Sequence, residues 1–126
     1  MDSLKKTAVI IDDEEEMTHL LKIELEQAGY NAYVAYDGEE GFRQIRKVNP
    51  DVVILDILMP GLDGFEMLRI LKADDTTKDI PIVVLTAKVH AKDIQKGKEL
   101  GASLYIKKPF DAVKLIQAIH EIVEKD

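Results

Sequence analysis

Three aspartates, a threonine and a lysine stand at the downstream ends of short apolar runs in this 126-residue chain. Asp12-Asp13 follow Thr7-Ala-Val-Ile-Ile11, and Asp56 closes Asp51-Val-Val-Ile-Leu-Asp56. Thr86 follows Ile80-Pro-Ile-Val-Val-Leu85, and Lys107-Lys108-Pro109 follow Ala102-Ser-Leu-Tyr-Ile106. Singly, each has an ordinary use. Asp12 or Asp13 can cap a helix whose positive end favours Glu14, Glu15 and Glu16. Asp56 can be a solvated carboxylate before the Met59-Pro60-Gly61 turn, Thr86 a plain strand end, and the lysines a solvated pair. Together they suggest chemistry. Carboxylates within ~4–6 Å raise one another's pKa unless a cation intervenes. Hard oxygen ligands suit Mg²⁺, which keeps several waters and accepts a phosphate oxygen. The Thr86 hydroxyl and the Lys108 ammonium could then hold phosphoryl oxygens. This is the equipment for phosphoryl transfer onto a carboxylate, where positioning and charge neutralisation do most of the catalysis.

Such a rim needs elements that bring distant positions together. The runs are β-branched and continuous rather than alternating, the habit of parallel strands covered on both faces. With the weaker Asn31–Ala35 and Ala102–Ile106, they predict strands near 6–12, 31–35, 51–56, 80–85 and 103–107. Between them lie stretches of helical period. Ala112, Leu115, Ile116, Ile119 and Val123 form one stripe, with Asp111 placed to cap that helix. In the first helix Met17, Leu20, Leu21, Leu25 and Ala28 share an arc of roughly 140°. Glu24 falls inside this predicted core arc, its stem on the core edge and its head in water; Ile23 falls outside it, as an exposed apolar residue. Gly29, Gly101 and Pro50 punctuate helix ends. Alternation of strand and helix five times gives a parallel sheet with helices on both faces. Its functional crevice lies at the carboxyl ends of the strands, where the aspartates, Thr86 and Lys108 stand.

Composition narrows the rest. Lys and Arg number 17 against 24 Asp and Glu, a net charge of −7, which opposes direct binding to a nucleic-acid backbone or an anionic membrane. Without cysteine there are no disulfides, thiolate zinc sites or cysteine nucleophiles, which suits a reducing, cytoplasmic setting. The longest apolar run, Ala32–Tyr36, is far below the roughly 18 residues that span a bilayer, and the N-terminus lacks a signal-peptide core. His19, His90 and His120 show no zinc-ligand spacing.

The set Ile11-Asp-Asp-Glu14, Asp51-Val-Val-Ile-Leu-Asp-Ile-Leu-Met-Pro-Gly-Leu-Asp-Gly64, Val84-Leu-Thr-Ala87 and Tyr105-Ile-Lys-Lys-Pro-Phe110 resembles the receiver domain of bacterial two-component response regulators. The resemblance covers essentially the whole chain, read as one receiver domain over 1–126. It implies the flavodoxin-like strand order 2-1-3-4-5, for which a chemotaxis regulator of this family is a known example. It further implies that Asp56 is the phosphoacceptor and that Asp12, Asp13 and the Leu58 carbonyl complete a Mg²⁺ site. Thr86 would bind the phosphoryl group and swing inward, Lys108 would pair with it ahead of a cis bond to Pro109, and Tyr105 would change rotamer when Thr86 moves. The implied partners are a sensor histidine kinase or phosphotransfer protein and a downstream effector or fused output domain. The protein would promote only its own phosphorylation and dephosphorylation.

Rival readings fare worse. A flavin carrier wants Gly, Ser or Thr in its first phosphate loop, which here reads Asp12-Asp-Glu-Glu-Glu16 and would repel a phosphate. A degenerate scaffold should have lost a rim residue, and a phosphatase with an aspartyl nucleophile needs a cap insertion for which there is no room. Leu58 and Lys88, two residues beyond Asp56 and Thr86, flank the phosphoryl group in the family and vary there. Receivers fused to winged-helix domains often carry an acidic pair after Gly-Ala and arginines in the last helix. Gly101-Ala-Ser-Leu104 and the Arg-free 111–126 segment do not support the salt-bridged dimer face of that subfamily.

Overall fold

The computed structural model describes residues 5–124. The chain runs β1 (Thr7–Ile11), α1 (Glu15–Gln27), β2 (Asn31–Ala35), α2 (Gly38–Val48), β3 (Val52–Leu55), α3 (Gly64–Ala73), β4 (Ile82–Thr86), α4 (Ala91–Glu99), β5 (Leu104–Lys107) and α5 (Ala112–Glu124). A hairpin of two-residue strands, Leu58–Met59 and Leu62–Asp63, lies between β3 and α3. The five main strands are all parallel and ordered 2-1-3-4-5.

Successive strand residues point to opposite faces, so each strand feeds two cores. Val9, Ile11, Val53, Leu55, Ile82 and Val84 meet the buried faces of α2 and α3. Ala8, Ile10, Val52, Ile54, Val83 and Leu85 meet Leu21 and Leu25 of α1 and Leu115 and Ile119 of α5. That double coverage is why the strands read as unbroken apolar runs. The helix ends are marked locally. Gly29 and Gly101 take positive φ of 98° and 107° just past α1 and α4, and the Asp111 carboxylate accepts the Lys114 amide at 3.1 Å to cap α5.

The first helix departs from its predicted face. Leu20, expected in the core, is 63% exposed, while Thr18 is fully buried. Ala28 is exposed too. The buried face is Thr18, Leu21 and Leu25, with Met17 at its edge. Thr18 enters the core because its hydroxyl bonds the Glu14 carbonyl one turn back, leaving only a methyl to pack. The arc is thereby rotated, and Glu24 and Ile23 both face water.

Candidate functional site

Register assembles the rim. Ile11 pairs with Ala35 on one side and Leu55 on the other, so the residues after them emerge together. The Asp56 amide donates to the Ile11 carbonyl at 3.0 Å and the Asp12 amide to the Ala35 carbonyl at 3.1 Å, carrying the ladder one residue past the strands. Thr86 pairs with Lys107, and the Lys108 amide donates to the Thr86 carbonyl at 2.9 Å. Asp12, Asp56 and Thr86 are buried, and Asp13 is exposed.

One carboxylate oxygen from each of Asp12, Asp13 and Asp56 lies within 4.8 Å of the others. Such a group of hard oxygens fits a small divalent cation like Mg²⁺. Lys108 supplies the neighbouring positive charge. Its Nζ lies 2.7 Å from Asp12 Oδ2 and 2.9 Å from Asp56 Oδ2, and it also pairs with Glu14. The remaining oxygens are held by the main chain. Asp12 Oδ1 accepts the Glu14 amide at 3.0 Å, and Asp56 Oδ1 accepts the Leu58 amide at 2.9 Å. These two bonds fix both carboxylates in rotation.

Burial lifts the Asp12 carboxyl above its ordinary range, and the charge of Asp56 adds to the rise against the hydrogen bonds from Lys108 and Glu14. Burial alone would lower the Lys108 ammonium, but its bonds to Asp12, Glu14 and Asp56 outweigh that and hold it above the usual lysine value. The site is an acidic cup closed around one fixed cation.

Thr86 and Tyr105 meet at a single residue. The Lys88 amide donates to Thr86 Oγ1 at 3.2 Å, and the Tyr105 hydroxyl donates to the Lys88 carbonyl at 2.7 Å. Both polar groups of that residue are thus held, one by each side chain. The Tyr105 ring packs on the core beneath α3, and its phenol is pushed up to about 12 by burial and by the charges of Asp93 and Asp56. Pro109 follows a cis peptide bond from Lys108. The hairpin after Asp56 is seated by Gly64, where a Cβ would run into the Ile57 backbone, 2.7 Å from its carbonyl oxygen.

Asp12 and Asp13 do not cap α1, whose N-cap residue is Glu14 and has no side-chain cap bond. Glu14 was readable only as a first-turn acid, and its contact with Lys108, 94 residues away, is tertiary. The signal that could have flagged it is a third acid beside a paired-aspartate motif.

Residues 8–120 match the family described as the response regulator receiver domain. Among curated proteins, the chain is 34% identical over 119 residues to the DNA-binding response regulator MtrA of Mycolicibacterium smegmatis, covering 94% of this chain and 51% of that protein. It is 37% identical to the phosphate regulon transcriptional regulatory protein PhoB of Pseudomonas aeruginosa, covering 95% and 52%. The chain thus spans about half the length of these relatives. Among solved structures, a putative response regulator from Chloroflexus aurantiacus superposes with a TM-score of 0.89 at 35% identity, over 96% of this chain and 99% of that one. The Vibrio cholerae chemotaxis protein CheY4 gives 0.87 at 29% identity, over 94% and 98%. No helix among the described residues is long and apolar enough to cross a membrane. The chain belongs to the response regulator receiver domain family, the phosphoryl-accepting module of two-component signalling.

Proposed function

We propose that Asp56 is the phosphoacceptor and that residues 1–126 act as one receiver. The observation that carries this reading is the shared rim, where Asp12, Asp13, Asp56, Lys108 and Thr86 converge from four strands. An Asp56 carboxylate oxygen attacks phosphorus as the P–N bond to a kinase or phosphotransfer-protein histidine breaks. A P–O bond forms, giving an aspartyl phosphate and returning the electron pair to the imidazole. Asp12, Asp13, Asp56 and the Leu58 carbonyl would hold Mg²⁺, which screens the charge between the incoming phosphoryl group and the carboxylates.

The chain's own residues do the rest. Lys108 shifts from its carboxylates to a phosphoryl oxygen, and the Thr86 hydroxyl, whose oxygen accepts the Lys88 amide, gives its own hydrogen to another. Moving Thr86 withdraws the acceptor from Lys88, whose carbonyl holds Tyr105. Tyr105 thereby reports phosphorylation on the surface of α4, β5 and α5, which a downstream effector or fused output domain reads. The receiver catalyses only its own phosphorylation and dephosphorylation, works in the cytoplasm and contacts neither nucleic acid nor membrane itself.

Intact-mass measurement after treatment with acetyl phosphate and Mg²⁺ tests the assignment. The wild type gains one phosphoryl group and Asp56→Asn gains none. An equal gain by both places the phosphate elsewhere.

A further inference from the structure

A glycine within a helix is less stable than alanine, yet α4 carries Gly97 in its last turn, and buried. The reason lies across the gap to β5. A Cβ built on Gly97 would stand 2.6 Å from both Cδ2 and Cε2 of Tyr105, closer than any side chain tolerates. The next neighbour, Phe65 Cε1, is at 3.8 Å, an ordinary contact. Nothing but the Tyr105 ring therefore objects to a side chain there. That ring is fixed at its other end by the bond from its hydroxyl to the Lys88 carbonyl, so it cannot slide away and keep its place.

We propose that Gly97 is a positioning residue for the Tyr105 switch: the missing side chain is the seat in which the ring lies, and any side chain there drives the ring toward solvent and uncouples it from Thr86. This rests on Tyr105 being the reporter of phosphorylation. The phosphoacceptor chemistry at Asp56 does not depend on it, because the rim is built from Asp12, Asp13, Asp56 and Lys108. Asp93, one turn earlier and buried, sits on the same side, and its charge adds to burial in raising the phenol above its ordinary value. The seat holds a ring that leaves by giving up one hydrogen bond and no ion pair.

Two measurements test this together. Thermal melting of wild type, Gly97→Ala, Tyr105→Ala and the double variant isolates the contact. In the Tyr105→Ala background, Gly97→Ala should raise Tm by about 3–5 °C, the ordinary gain of Ala in a helix. With Tyr105 present it should leave Tm unchanged or lower it, and failure of the single variant to fold while the double folds supports the contact equally. The second measurement is ¹⁹F NMR of 3-fluorotyrosine-labelled protein, with Tyr105 assigned by Tyr105→Phe and with beryllofluoride and Mg²⁺ as phosphoryl mimic. The wild-type resonance should move on adding the mimic. In Gly97→Ala it should start near the free fluorotyrosine position and move less than half as far. Equal Tm gains in both backgrounds, or a full response in Gly97→Ala, overturns the role of Gly97 alone. A wild-type resonance that ignores the mimic overturns the switch itself, and the positioning role with it.

Discussion

Replacing Lys108 with methionine keeps a linear stem of similar length and deletes one charge from a nearly dry site. The Lys108, Asp12 and Asp56 side chains are 12%, 3% and 6% exposed, so solvent can do little to screen what remains. At separations of 2.7 and 2.9 Å each pair is worth roughly 6 kcal/mol in Coulomb energy at an effective dielectric near 20, before the cost of desolvation is charged against it. The net loss is smaller. Removing one partner of a buried ion pair destabilises by about 3–5 kcal/mol, and the exposed Asp13 at the mouth lets water reach the stranded carboxylates, which favours the low end. For a domain of this size that is a fall in Tm of about 10 °C in EDTA. Mg²⁺ should narrow the difference. Lys108 and a divalent cation seek the same carboxylate oxygens, so the variant should bind Mg²⁺ more tightly and recover most of its lost Tm at millimolar Mg²⁺. Melting curves of both proteins across a Mg²⁺ titration check this. An equal deficit at zero and saturating Mg²⁺ would refute the reasoning, because Lys108 would then stabilise something other than the carboxylate cup.

The Tyr105 phenol gives a pH prediction. Its value is raised from 10 to about 12 in the fold, so the folded state keeps a proton that the unfolded chain has released. The stabilisation is complete below pH 10 and fades as pH rises toward 12; Tyr105→Phe should therefore lose stability less steeply over that window in urea melts. A phosphodonor docking on α1 would meet more of Leu20, 63% exposed, than of Ile23, 37% exposed. Leu20→Lys should slow transfer from a cognate kinase more than Ile23→Lys, with acetyl phosphate labelling unchanged in both; equal slowing with the small donor would mean a damaged fold. Glu24 is exposed and makes no ion pair among the described residues, so Glu24→Leu should shift Tm by less than about 2 °C rather than fill a seam.

How far the sequence could be read follows from what each residue announces. Val52–Leu55 and the Ile82-Val-Val-Leu85 run were legible because strands buried on both faces favour unbroken apolar side chains. The rim followed, since parallel strands must deliver their last residues to one edge. Thr18 was not legible. A hydroxyl that satisfies itself on its own helix packs like a methyl, and one such residue turned the whole face of α1 and put Leu20 outside. Lys88 was equally silent, because its part is played by its peptide groups, which every residue except proline shares. Gly97 could have been seen as a poor helix former, but only the position of Tyr105 says what the gap is for.

The two bonds at Lys88 carry one more implication. Thr86 and Tyr105 are joined through an amide and a carbonyl, so the proposed link between input and output would be made of backbone and owe nothing to the side chain that happens to hang from it. Lys88 also lines a groove shared with Leu58, Asp93 and Lys96. Position 88 is therefore a place where two properties of a molecular timer come apart. On the proposed reading, exchanging the side chain would change how long the phosphorylated state lasts, while the message it sends would stay the same. Only proline, which has no amide hydrogen to give, would cut the link.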